Sequence, residues 1–389
     1  MAVRRERDRG PNARRRNRDP APRGGALVDY TSDDEFQAAM LEGVSRTFAL
    51  TIPQLPRVLG RVVANAYLLC RIVDTIEDEP ALSSRQKAGF YRRFVKSLSD
   101  PQSAERLSEE LCPLLSCATI AAEQDLMRHV PRVVRITRSF PDPQRESMER
   151  CVRVMAEGMG EFQARGELQT SEDLDQYCYY VAGVVGEMLT RLFCLYSPDI
   201  NRRYDGLMMR AVSFGQGLQM TNILKDVWED YQRGACWLPR EIFAEEGFDL
   251  HELAQSGNRG GFERGIHRLI AVAHRHLKNA LAYTLLIPRQ ETGIRKFCLW
   301  AIGFALLTLR KIHQHPEYRQ GNEVKVSRLS VKGTMLLSRF AAQHDAMLNG
   351  LFLVASRSLP LGPPSLGWSP PKVAHGSRVQ FQTSVGSRS

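Results

Sequence analysis

Asp74 and Asp78 stand four residues apart in the segment RIVDTIEDEP, so on a helix both carboxylates leave the same face. Tyr67 and Arg71, seven and three residues before Asp74, share that face, and Glu77 follows Asp74 by three. The preceding run, VVANAYLLC, is strongly apolar. Acids at the end of such a run are costly to bury unless a cation meets them. The pattern recurs 152 residues later. In QMTNILKDVWED, Gln219, Asn222, Asp226 and Asp230 follow at intervals of 3, 4 and 4, a polar stripe on an otherwise apolar helix, with Glu229 three after Asp226.

One such pair is ordinarily a solvated helix face. Two pairs, each aligned with Arg, Tyr, Gln or Asn inside apolar helices, suit a more specific chemistry. Carboxylates on facing helices repel unless divalent cations lie between them. Oxygen-only donors favour Mg2+, which keeps part of its water and joins one or two carboxylates to substrate phosphates. Such ions would turn a diphosphate into a good leaving group, with Arg and Lys completing the clamp. The apolar walls would hold a hydrocarbon chain and shield a carbocation from water.

The elements that must position these residues are helical almost throughout. Stretches of 3.6-residue period cover 33–43, 57–78, 84–98, 104–112, 117–137, 142–165, 171–197, 201–232, 262–286, 290–315 and 331–354. TSDDEFQ and TSEDLDQY begin with Ser or Thr followed by acids, a helix-start signature. The expected architecture is all-α: one helical domain over 33–354, large enough to enclose a central apolar cavity.

The remainder of the sequence narrows the function classes. The chain of 389 residues has a net charge of +10. Residues 1–25 form an Arg-rich arm, of which 1–23 carry nine Arg against three acids. The arm has neither the apolar stretch of a signal peptide nor a helical period; a disordered arm is expected, and nucleic-acid binding through it is the rival function from a different class. Residues 357–389, rich in Ser, Pro and Gly, are expected to be a flexible tail. The eight cysteines show no CxxC pair, which speaks against a zinc site and for reduced thiols of an intracellular protein. The longest apolar run, FCLWAIGFALLTL at 297–309, is too short to span a bilayer.

Over residues 40–345 the chain resembles the squalene/phytoene synthase family, and within it the squalene-forming branch. Four segments carry the likeness in order: SRTF at 45–48, YLLCRIVDTIED at 67–78, YCYYVAGVVGEML at 177–189 and LQMTNILKDVWED at 218–230. The resemblance implies an isoprenoid-synthase-type bundle in which Asp74, Asp78, Asp226 and Asp230 bind Mg2+. It implies diphosphate contacts from Ser45, Arg46, Arg71 and Gln219, substrate contacts from Phe48, Tyr67, Asn222, Lys225 and Phe297, and a catalytic role for Tyr177. VKVSR at 324–328 resembles the family's NADPH-phosphate segment, which makes Lys325 and Arg328 cofactor-binding candidates. Three positions depart from the common pattern: Glu79 where many relatives have Asp, Lys225 where Arg is common, and Tyr179 where eukaryotic members have His.

The implied reaction joins two farnesyl diphosphates head to head through presqualene diphosphate and reduces the rearranged cation with NADPH. Phytoene and dehydrosqualene synthases, the alternative branch, end instead by proton loss. No Gly-rich βαβ fingerprint is present, so NADPH rests on the resemblance. The expected state is a cytoplasmic monomer with isoprenyl diphosphate substrates and no nucleic-acid partner. It would have no transmembrane anchor and at most a peripheral association with a membrane.

Overall fold

A computed structural model describes residues 30–254 and 259–365. The arm at 1–25 lies outside the described residues, as does the end of the chain from 366. Helices and turns make up the described residues, with no strand among them. The chain begins with α1 (Asp33–Val44), α2 (Phe48–Thr51), α3 (Arg57–Asp78), α4 (Ser84–Ser97) and α5 (Pro101–Leu111). It continues through α6 (Ala121–Arg128), α7 (Val130–Arg138), α8 (Asp142–Arg165), α9 (Ser171–Cys178) and α10 (Val184–Tyr196). Then come α11 (Pro198–Asn201), α12 (Tyr204–Gln232) and α13 (Arg240–Glu245). The last four are α14 (Arg259–Leu286), α15 (Thr292–Gln314), α16 (Arg328–Ala341) and α17 (Asp345–Ser356).

The sequence signals act locally as expected. Ser32 Oγ accepts from Glu35 N at the start of α1, and Thr170 with Asp173 forms a full capping box at the start of α9. Some long periodic stretches are interrupted. The stretch 117–137 divides at His129, where Val130 and Pro131 begin α7. The stretch 331–354 divides between Ala341 and Asp345. Between α9 and α10 a five-residue π-turn, Tyr179–Gly183, widens the helix. The π-turn sits where helix backbones nearly touch: a Cβ on Gly215 would lie 2.0 Å from the Ala182 carbonyl oxygen, and one on Gly158 would lie 2.0 Å from Tyr180 Cγ. Only glycine permits these approaches.

Two helices organise the bundle. α3 contacts α1, α4, α6, α7, α8 and α10, and its Leu68, Leu69, Ile72, Val73 and Ile76 are completely buried. α12 packs along α14 and also meets α9, α10 and α15. Each central helix carries one acidic pair in its C-terminal turns, and neither has a basic residue in its last turn.

Two helical stretches, Ser171–Tyr196 and Thr292–Gln314, are long and apolar enough to cross a membrane by composition, but they lie mostly buried within the bundle, 61% and 67% respectively. The eight cysteines are free thiols, five of them buried.

Of the tail expected at 357–389, the segment 357–365 lies within the described residues. This segment runs along α14, where Gly362 N donates to Ala271 O at 2.9 Å. Arg275 donates to Gly362 O, and Asn279 Nδ2 donates to Ser365 O at 2.6 Å. Leu359 is buried beneath this strap. Backbone hydrogen-bond groups hold the segment, which is why its Ser/Pro/Gly composition did not disclose it.

Candidate active site

The two acidic pairs end α3 and α12, where the helix dipole is negative and adds to their own charge. The chain brings the two ends together. Arg233, just past α12, lies 3.3 Å from Asp78 Oδ1 and also pairs with Asp230. On the α12 side Lys225 Nζ is 2.9 Å from Asp226 Oδ2. On the α3 side Arg71 lies 3.9 Å from Asp74 Oδ2 and pairs with Glu123 of α6. Arg233 and Glu123 lie outside the motifs that sequence singled out. Arg233 stands three residues after Asp230, a helix-neighbour spacing that was readable; nothing in the sequence joins Glu123 to Arg71.

Burial dominates the electrostatics. It pushes Asp74 up to about 7, with Asp78 and Glu123 adding to the effect and Arg71 opposing it. Burial likewise raises Asp230 to about 6, raises Asp226, and holds Glu77 well above the ordinary carboxylate range. Asp74 Oδ1, Glu77 Oε1 and Glu229 Oε2 are buried without a hydrogen-bond partner. Buried carboxylate oxygens in this condition call for cations. No three acid, His or Cys side chains among the described residues close into a metal cage. An open, oxygen-only donor set of this kind fits Mg2+ that takes a few carboxylates and completes its shell with water and phosphate.

Tyr177 takes its place through α9. Its hydroxyl lies 3.4 Å from Glu77 Oε2, its ring stacks on Trp237 at 4.0 Å, and Phe162 meets it edge-on at 5.7 Å. Burial raises its phenol well above the usual value. Nothing in the sequence joins Glu77 or Trp237 to Tyr177. Tyr179 is also buried and opens the π-turn.

The SRTF segment precedes and enters α2. Ser45 Oγ accepts from Phe48 N at 3.0 Å, whereas Arg46 is exposed. Phe48 packs on Tyr67 at 4.9 Å and on Phe297 of α15 at 6.3 Å, so an aromatic row links three distant parts of the chain. Burial pushes the Tyr67 hydroxyl up to about 12, and it donates to Val44 O at 3.4 Å. On α12 Gln219 is half-buried and Asn222 exposed.

Glu79, directly after Asp78, does not extend the acidic pair. It is completely buried. Its carboxylate accepts from Ala81 N at 2.8 Å, Ser116 N at 2.8 Å and Thr119 Oγ1 at 2.6 Å. Glu79 therefore anchors the 116–119 turn and faces away from the acidic pair; Pro80 is exposed.

The 318–324 segment closes over the second acidic helix. Tyr318 Oη donates to Leu224 O, Gly321 N donates to Glu229 Oε1 at 2.8 Å, and Val324 is buried. Lys325 and Arg328 follow directly, both exposed and without an ion pair to any described residue. Two exposed cations just after this segment are suited to the phosphates of a nucleotide cofactor.

A model of the squalene/phytoene synthase family matches residues 41–330. Among curated proteins the chain is 29% identical over 308 residues to squalene synthase ERG9 of Gibberella zeae, covering 77% of this chain and 63% of that protein. It is 31% identical over 292 residues to squalene synthase LSS of Botryococcus braunii, covering 74% and 59%. The chain thus spans about three-fifths of the length of these relatives. Among solved structures it superposes on TcSQS in complex with the ligand BPH1237 with a TM-score of 0.70 at 24% identity, over 84% of this chain and 92% of that one. On a dehydrosqualene synthase the TM-score is 0.55 at 21% identity, over 79% and 95%. These two likenesses are of fold. With a family match across three-quarters of its length and an all-α fold in common, the chain belongs to the squalene/phytoene synthase family.

Proposed function

We propose that the protein is a squalene synthase, a farnesyl-diphosphate farnesyltransferase. It would join two farnesyl diphosphates head to head through presqualene diphosphate and reduce the product to squalene with NADPH. The observation that carries this reading is the meeting of the acidic ends of α3 and α12 through Arg233, with buried carboxylate oxygens left unpartnered. The names of the curated relatives, squalene synthases of fungi, a green alga and plants, support the same product.

In this reading Asp74, Asp78, Asp226 and Asp230 would hold Mg2+, which supplies charge neutralisation for the departing diphosphate. Arg71, Lys225 and Arg46 offer cationic contacts to the diphosphates, with Ser45, Gln219 and Asn222 as polar ones. Phe48, Tyr67 and Phe297 form an apolar, aromatic wall that keeps water from an allylic cation and favours its positive charge over their faces. Tyr177, kept neutral by burial, can donate from its phenol to a departing oxygen beside Glu77. Lys325 and Arg328 would hold the phosphates of NADPH, which supplies hydride. The same reading takes the enzyme as a monomer, and places it in peripheral contact with a membrane because its hydrocarbon product partitions into lipid.

Incubation with farnesyl diphosphate and Mg2+, with and without NADPH, tests this. Squalene should form only with NADPH, and presqualene diphosphate or a non-reduced hydrocarbon should accumulate without it. Phytoene from geranylgeranyl diphosphate, or dehydrosqualene regardless of NADPH, would assign the chain to the non-reductive branch.

A further inference from the structure

α16 is packed with its small side chains inward. Of its fourteen residues only Ser338 and Ala341 are buried. Trp300 Nε1 donates to Ser338 Oγ at 2.6 Å, and Thr334 sits over Gly303, where a Cβ would approach its Cγ2 to 2.5 Å. The large apolar side chains point the other way: Leu329 is 82% exposed, Leu336 57%, Leu337 54% and Phe340 67%. Positions 329, 336 and 340 recur at intervals of seven and four, one stripe along the helix. α17, after a short turn, adds exposed Leu353 and Val354. Single exposed leucines are ordinary, but a helix that turns Leu329, Leu336, Leu337 and Phe340 outward while only Met335 packs partly against the core marks an interaction surface.

Charge decides the occupant. Between Glu323 and Asp345 the chain carries Lys325, Arg328, Lys332 and Arg339 and no acid. All four are exposed. Even with Lys325 and Arg328 given to a nucleotide, Lys332 and Arg339 flank the apolar stripe. A second copy of this surface would bring like charges together. The chain's own ends do not complement it either, since 1–23 carry a surplus of Arg and 366–389 contain Lys372, Arg378 and Arg388 without an acid. An amphipathic helix with apolar side chains on one side and Lys/Arg beside them matches the surface of an anionic bilayer, where the apolar groups enter the acyl boundary and the cations meet the headgroups.

We propose that α16, with the exposed end of α17, is a docking face for anionic lipid membrane. The proposal rests on the peripheral membrane association put forward above and names the surface responsible. It is independent of turnover.

Sedimentation of the full chain with vesicles of phosphatidylcholine alone, and with about a third phosphatidylglycerol, tests it without substrate. Wild type should partition onto the anionic vesicles, and added salt should weaken but not abolish binding. Leu336→Ser/Phe340→Ser and, separately, Lys332→Glu/Arg339→Glu should each lower the partition coefficient about tenfold or more. Circular dichroism and farnesyl diphosphate turnover in detergent should stay unchanged, since all four side chains are exposed and none is among the proposed site residues. Binding that survives both double substitutions belongs to another part of the chain, such as the Arg-rich arm, and overturns the proposal. So does loss of a concentration-dependent dimer as the only effect of Leu336→Ser/Phe340→Ser. Failure of vesicle binding with squalene formation intact overturns this proposal and the peripheral association it rests on, but not the proposed reaction; the converse overturns only the proposed reaction.

Discussion

Arg233 joins Asp78 and Asp230, so one guanidinium ties the C-terminal end of α3 to that of α12. Two negative helix ends meet only with positive charge between them, and in this arrangement Arg233 supplies part of it. Arg233→Ala should therefore destabilise the metal-free protein by about 1–2 kcal/mol, the scale of a part-buried charged hydrogen bond. Millimolar Mg2+ should restore much of that loss, because in the proposed reading it meets the same carboxylates. Urea unfolding with and without Mg2+ measures both. An equal loss in the two conditions would show that Arg233 acts apart from the acids proposed to bind Mg2+.

The raised carboxyl groups make a pH signature. Asp74 rises to about 7 and Asp230 to about 6, chiefly through burial, against about 3.9 for an unfolded Asp. Between about pH 4 and 7 the folded state holds protons that the unfolded chain has released, so these groups make stability fall as pH rises through that window. Buried His276, lowered to about 4, contributes the opposite slope up to the ordinary His value. The readout is therefore the difference between Asp74→Asn and wild type. The variant should gain about 1–3 kcal/mol relative to wild type between pH 4 and 7 in metal-free buffer, and should lose Mg2+-dependent diphosphate release. An unchanged difference across that range would refute burial as the cause of the shift.

Tyr177 offers a cleaner split between stability and chemistry. Its ring is held by Trp237 and Phe162, while its hydroxyl faces Glu77. Tyr177→Phe keeps the stack and removes the phenol. Thermal stability should change by about 1 kcal/mol or less, and kcat for farnesyl diphosphate consumption should fall about a hundredfold with little change in KM. Trp237→Ala should impair both, because the ring then loses its stacking surface. Retained kcat in Tyr177→Phe would reduce the residue to a packing role.

The helices and the acidic pairs were legible because each is written in local periodicity. The limits of α3 and α8 and the C-terminal end of α12 follow from apolar spacing, whereas the break before Tyr204 does not, and Asp74, Asp78, Asp226 and Asp230 follow from four-residue spacing on those helices. What the sequence concealed depends on contacts across the fold. Arg71 meets Glu123 from 52 residues away, and Tyr177 meets Glu77 across 100. The π-turn at Tyr179–Gly183 leaves the apolar pattern intact while adding one residue to the turn. The outward face of α16 was hidden for a related reason: periodicity shows that a helix has an apolar stripe, but only packing shows whether the stripe or the small residues go inside.

Glu79 lets family pattern and structure be set against each other. The family resemblance implies Asp at this position, which would make it a third acid of the segment proposed to bind metal. Here the side chain reaches away from Asp74 and Asp78 to satisfy Ser116 N and Thr119 Oγ1 at once. These hydrogen bonds hold its carboxyl below the ordinary value despite burial, so its contribution is lost as pH falls through that lowered value. Glu79→Asp shortens the side chain by one methylene and withdraws it from the 116–119 turn. The variant should lose about 1–3 kcal/mol of stability, the cost of buried donors left without their acceptor. Its Mg2+ dependence and kcat should remain those of wild type. A substitution that instead shifts the Mg2+ requirement while leaving the urea midpoint unchanged would return Glu79 to the metal site.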